Sequence, residues 1–181
     1  MSVIVDIHLE TDLSEFTSTV TDSGDLYWAA AAALAGTAGG MASLIDDTTG
    51  IYGVKTITTS TTGKLRVRFY LDPNTLIMAN TDEFYILRLF NSAYAVTCEV
   101  LLSYTTAAGY QIRATIINDV PATSTTNVYA ITDASHYIEI YLQRAATDSS
   151  NDGSVQLWID GISKETKGGI DNYHRDRKSV V

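Results

Sequence analysis

The sequence predicts an all-β sandwich of antiparallel strands, and three observations carry that expectation. The first is residues 136–161, HYIEIYLQRAATDSSNDGSVQLWIDG, two alternating runs joined by turn-forming residues. In the first run Ile138, Ile140 and Leu142 share one face while Tyr137, Glu139, Tyr141 and Gln143 share the other. In the second, Val155, Leu157 and Ile159 oppose Ser154, Gln156, Trp158 and Asp160. A period of two is the mark of strands with one face in the core. The second observation is KLRVRFYLD, where Leu65, Val67, Phe69 and Leu71 alternate with Arg66, Arg68 and Tyr70. The third is the short spacing of EFYILRLFN, AVTCEVLLSY and GYQIRATIIN, separated by Asn91-Ser92, Ala107-Ala108-Gly109 and Asp119-Val120-Pro121, as in a sandwich.

Taken in order, VIVDIHLE opens the chain as a first strand. IYGVKTI and KLRVRFYLD, joined by the polar TTSTTG, read as a hairpin that Asp72-Pro73-Asn74 ends. The run Ala29 to Gly36, AAAAALAG, has helix propensity but is too short to hold a helix, and Gly36, Gly39 and Gly40 break it; extended structure is expected there. About eight strands are expected in all, with no repeat of solenoid or propeller period. The 181 residues suit one domain, 1–181, with a core of its own.

The composition is 45% hydrophobic and 18% charged, which excludes a disordered chain, and no apolar run reaches the roughly 20 residues of a membrane span. Lys and Arg total 12 against 21 Asp and Glu, a net charge of −9 that repels phosphate backbones, so nucleic acid is not an expected partner. The basic cluster His174-Arg175-Asp176-Arg177-Lys178 reads as a solvated end. The lone Cys98, in YAVTCEVLLSY, reads as a small core residue without a disulfide partner. MSVIVDIHLETDL shows no basic n-region, long apolar stretch or cleavage site. The expectation is a protein that stays where it is made or leaves within an assembly or by lysis, at a virion or extracellular surface.

Read together, LSEFTS, Ala33 to Ala42, KLRVRFYLDPNTLIM, HYIEIYLQRA and VQLWIDGISKETKGGIDN resemble the laminin G-like, concanavalin A-like jelly-roll family over roughly residues 12–172. The resemblance rests most on Trp158-Ile159-Asp160-Gly161 and on Gly169-Ile170-Asp171-Asn172. It implies two antiparallel sheets face to face, one commonly concave. The family includes glycan- and protein-binding modules, accessory domains of enzymes, and virus and phage structural proteins, so the fold alone does not decide the function. Such chains usually add closing strands after the Gly-Ile-Asp-Asn segment. Here KSVV follows, and either VIVDIHLE closes the sandwich or an edge stays open for a neighbouring subunit.

The chemistry legible in the sequence is recognition. A sandwich glycosidase needs two carboxylates about 5 to 10 Å apart across a groove, whereas Glu99 and Glu139 are solitary in their strands and Asp160 belongs to a turn. His8, His136 and His174 lie far apart in sequence and read as structural. No nucleophile elbow and no Cys/His pairing is present, so no enzyme is expected. No cofactor is expected, and calcium is the one metal that stays open. Asp148 to Gly153 spaces oxygen donors but has Ile159 where a calcium loop needs a terminal Glu, Asp46-Asp47 reads as a turn, and the resemblance implies Asp171-Asn172 as a ligand pair only if folding brings it near another acidic loop. The expected binding face comprises Tyr137, Glu139, Tyr141, Gln156 and Trp158, extended by Arg66, Arg68 and Tyr70 if their strand joins the same sheet. The expected function is a non-catalytic recognition or assembly module, a structural subunit such as a virion decoration or tail protein whose partners are other subunits. An extracellular lectin-like glycan-binding module is the alternative, and a glycoside hydrolase relative is the third reading.

Overall fold

A computed structural model describes residues 9–57, 63–120 and 122–174, with the backbone of 179 and 180. The first strand VIVDIHLE, His8, the TTSTTG turn and the basic cluster beyond His174 fall largely or wholly outside the described residues. The chain forms two compact units, Met1–Thr58 with Ser179–Val181, and Thr59–Lys178.

The smaller unit holds β1 (Ser18–Val20), β2 (Leu26–Ala29), β3 (Gly40–Ser43) and β4 (Tyr52–Thr56). β1 and Ser179–Val180 both pair antiparallel with β4, and β2 pairs with β3 with Trp28 opposite Met41. The Trp28 indole N–H donates to the Leu9 carbonyl at 2.8 Å, and the ring occupies the space a side chain on Gly39 would need. Within the alanine run, Ala29 ends β2, Ala30–Ala32 form one 3-10 turn, and Ala33 is extended again. The expected continuous extension is therefore interrupted. Gly40 lies against the Ala32 carbonyl so closely that no side chain fits between them, and the turn is what lets the chain double back there.

The larger unit holds β5 (Lys64–Leu71), β6 (Glu83–Phe90), β7 (Val96–Thr105), β8 (Gly109–Ile117), β9 (Thr123–Thr125), β10 (Tyr129–Ala130), β11 (His136–Gln143), β12 (Gly153–Ile159) and β13 (Ile162–Ile170). One sheet runs β6-β7-β8, with β9 and β10 both on the far side of β8; the other runs β13-β12-β11-β5. All of these pairs are antiparallel. The expected β4–β5 hairpin does not form, since β4 pairs with β1 while β5 pairs with β11. Only a very short turn forces adjacent strands to pair, and the link between these two is too long to do so.

The core lies between the two sheets. Leu89, Cys98, Val100, Leu102, Ile112, Ala114 and Ile116 are buried on one side, and Leu65, Ile138, Ile140, Leu142, Val155, Leu157 and Ile159 on the other. The 136–161 pair forms in the expected register, Ile140 opposite Leu157 and Leu142 opposite Val155. Asp160 and Gly161 both have positive φ, 53° and 77°, which is the two-residue turn whose twist suits a hairpin, and it reverses β12 into β13.

Candidate functional site

The register of β5, β11 and β12 puts all eight side chains of the expected wall on the outward face of the smaller sheet. Arg66 stands beside Tyr141 and Gln156, Arg68 beside Glu139 and Trp158, and Tyr70 beside Tyr137. Alternation assigns each residue to its face, and antiparallel pairing aligns the strands. Gln156 extends the face toward β13 by donating from Nε2 to Ser163 Oγ at 3.0 Å. Ser163 was not singled out in the sequence, because its place depends on the register of β13.

Polar contacts across the face converge on Glu139. Arg66 donates from Nε to Oε1 at 2.8 Å and also from Nη2 to the same oxygen. Arg68 donates from Nε to Oε2 at 2.7 Å, and its Nη2 is ion-paired with the same oxygen at 2.7 Å. Both guanidinium groups also lie over aromatic rings, Arg66 5.0 Å from the Trp158 centroid and Arg68 5.0 Å from that of Tyr137, within cation–π range. Tyr137 meets Tyr70 at 6.0 Å between centroids. Glu139 is 3% exposed and Tyr70 is 45% exposed; Tyr137, Tyr141 and Trp158 are half-buried. Two guanidinium groups on one carboxylate leave this face locally positive in a chain of net charge −9.

Burial pushes the Glu139 carboxyl up, but the hydrogen bonds and charges of Arg66 and Arg68 outweigh it and hold the group below the ordinary glutamate range. A carboxylate with a depressed folded-state pKa adds stability that is complete above its unfolded value, about 4.3, and is lost as pH falls through the lower folded value. Glu139→Gln is therefore expected to flatten the acid side of the stability profile. Thermal melts at a series of pH values check this, and parallel acid losses in the variant and the parent would contradict it.

The two described histidines, His136 and His174, have side-chain partners. His136 Nδ1 lies 2.7 Å from Asp160 Oδ2, and its Nε2 lies 2.9 Å from Thr132 Oγ1. Asp160 Oδ1 accepts the Tyr137 N–H at 3.0 Å, so the pair fastens the β12–β13 turn to β11. His174 pairs with Asp148. Cys98 is buried in the core.

Among the oxygen groups of the calcium candidates, Asp152, Asp47 and Asn172 serve local backbone geometry, Asp148 pairs with His174, and Asp171 Oδ1 is buried without a hydrogen-bond partner among the described residues. Asp152 Oδ1 accepts from the Ala146 N–H and from Ser150 Oγ, each at 2.8 Å, and Asp47 Oδ1 accepts the Thr49 N–H at 2.6 Å. Asn172 is 2% exposed. Its Oδ1 accepts the Ala145 N–H at 2.7 Å, its Nδ2 donates to the Gln143 carbonyl at 3.4 Å, and it fills the space beside Gly153. Among the described residues no group of three or more His, Cys, Asp or Glu side chains is arranged to hold a metal ion, and no helix is long and apolar enough to cross a membrane.

No family model matches the chain, and comparison with curated proteins found no match. Among solved structures, the chain is similar to an endo-β-1,4-glucuronan lyase from the fungus Trichoderma reesei. The TM-score is 0.59 at 10% identity, over 94% of this chain and 79% of that one. The likeness shows the fold, an all-β, two-sheet antiparallel jelly-roll sandwich of the concanavalin A-like kind. The expectation of a non-catalytic assembly subunit is corrected by the same finding, since in that neighbour a similar fold, matched over 94% of this chain, belongs to a glucuronan lyase. No comparison supports a virion or subunit role.

Proposed function

We propose that this protein is a glycan-processing jelly roll that holds a uronate-containing polysaccharide against the outward face of β5, β11 and β12. The observation that carries this reading is the convergence of Arg66 and Arg68 on one carboxylate among Tyr70, Tyr137, Tyr141 and Trp158. The face is electropositive and aromatic, with fixed donors for a carboxylate and flat surfaces for a sugar ring. The fold shared with a glucuronan lyase agrees with a glycan as the ligand.

The same geometry favours elimination over hydrolysis. A hydrolase needs a carboxyl that stays protonated to act as general acid, and the two arginines hold Glu139 ionised instead. Elimination from a uronate asks for different groups. Cations neutralise the carboxylate, the proton on the adjacent ring carbon becomes removable, and the C–O bond to the neighbouring sugar breaks as a C=C bond forms. Arg66 and Arg68 supply the cations. Tyr141, beside Arg66 in the sheet, is the proton carrier: entering as the phenolate it takes the ring proton, and as the resulting phenol it returns that proton to the departing oxygen.

Incubation with glucuronan and with other polyuronates tests this. New reducing ends should appear together with the ultraviolet absorbance of unsaturated uronate. Reducing ends without that absorbance would place the protein among hydrolases, and neither signal on any polyuronate would remove the reading.

A further inference from the structure

We propose a second saccharide site, for an uncharged sugar ring, on the outward face of β6, β7 and β8. It is built by an irregularity in β6. Tyr85 pairs with Leu101, but Leu87 pairs with Val100, so Ile86 is an extra residue and the strand carries a bulge. In an unbroken strand Tyr85 and Arg88 would point to opposite faces. Past the bulge, Leu87 and Leu89 turn into the core, 7% and 0% exposed, and Arg88 comes out beside Tyr85. Bulges of this kind re-aim side chains and gather at functional sites.

Arg88 lies 4.3 Å from the Tyr85 ring centroid and 5.6 Å from that of Phe90. It donates from Nε at 2.9 Å and from Nη2 at 2.7 Å, both to Oε1 of Glu99 on β7. Among the described residues no bond uses Glu99 Oε2, which leaves an oriented acceptor beside an oriented donor. On the neighbouring strand Arg113 donates from Nη2 to Glu83 Oε2 at 2.8 Å, and its Nε is buried without a partner among the described residues. Tyr85 is 55% exposed.

The charge balance identifies the ligand class. Two arginines face two glutamates here, so the site is neutral, whereas two arginines share one glutamate on the β5–β11–β12 face. A neutral face with a fixed carboxylate oxygen, fixed guanidinium N–H groups and an exposed ring suits vicinal hydroxyls on a pyranose stacked on Tyr85. It offers a carboxylated sugar no net attraction. The site does not rest on the uronate reading and would serve to hold a neutral chain, or the neutral stretches of a mixed one.

Amide chemical shifts during titration with cellohexaose, xylohexaose and maltohexaose test the proposal. At least one of these neutral probes should shift the amides of residues 85–88, 99–101 and 113–115 while leaving 137–141 and 156–158 unmoved. Tyr85→Ala should weaken that binding by about tenfold or more, as loss of a central aromatic anchor does, and Tyr85→Phe should retain it. Arg88→Lys, which keeps the charge but loses the two-point geometry, should weaken it as well and serves if Tyr85→Ala fails to fold. The proposal is overturned if no probe shifts these amides, if the shifts map to β11 and β12, or if the folded variants bind as the parent does. Failure of polyuronate cleavage would leave these outcomes unchanged.

Discussion

Leu157→Ala is expected to cost the fold about 2 to 5 kcal/mol, the range for truncating a large aliphatic in a well-filled core. Leu157 has no exposed surface. It sits opposite Ile140 in the centre of β12, with strands on both sides, so the surrounding side chains have little freedom to close the cavity. The Gln156 and Trp158 side chains on either side of it in sequence point outward, and the substitution leaves their face intact. Denaturant unfolding followed by fluorescence gives the number directly. A loss below about 1 kcal/mol would mean that Leu157 lies at a margin of the core rather than within it.

Much of this architecture was legible because alternation is a local signal. HYIEIYLQ and SVQLWI each assign their own faces, and the turn residues between them indicate antiparallel pairing, so the core positions and the outward wall follow without tertiary information. The β4–β5 link shows where that stops. Both strands were visible, but which strand each pairs with depends on surfaces far away in sequence, and β5 aligns with β11 rather than with β4. The bulge in β6 lay out of reach for a related reason. EFYILRLF reads as one strand, and the extra residue appears only once Tyr85 and Leu87 are set against β7. Tyr85, Arg88 and Glu99 were consequently not assembled into a site.

The candidate face shows the same division. Its eight members could be named from alternation, but the state of Glu139 could not. The partners that hold it ionised come from positions 71 and 73 residues away in sequence. Asn172 shows the same dependence on distant partners: its side chain is committed to the end of β11 and the start of β12, where it satisfies the Ala145 N–H. The expectation of no enzyme had a similar origin. It rested on the lack of a carboxylate pair, a nucleophile elbow or a Cys/His pairing in the sequence, and side chains gathered from three strands leave no short motif to read.

Arg68 offers the largest expected effect on binding. Its side chain is 54% exposed, so its replacement disturbs the fold little, and Arg66 remains to hold the Glu139 carboxylate. A charge-assisted contact to a sugar carboxylate is worth about 1.5 to 3 kcal/mol, so Arg68→Gln should lower affinity for an oligoglucuronate by about tenfold to a hundredfold. The attraction should weaken with added salt, since it comes from a partly exposed charge. The most direct measurement is a calorimetric titration of oligoglucuronate into the parent and into Arg68→Gln at low and moderate salt, with melting curves to confirm that both are folded. Binding by the parent should fall with salt, and the variant should lose at least tenfold in affinity. Equal affinity in the two proteins, or no binding by the parent, would contradict the claim that this face holds a uronate.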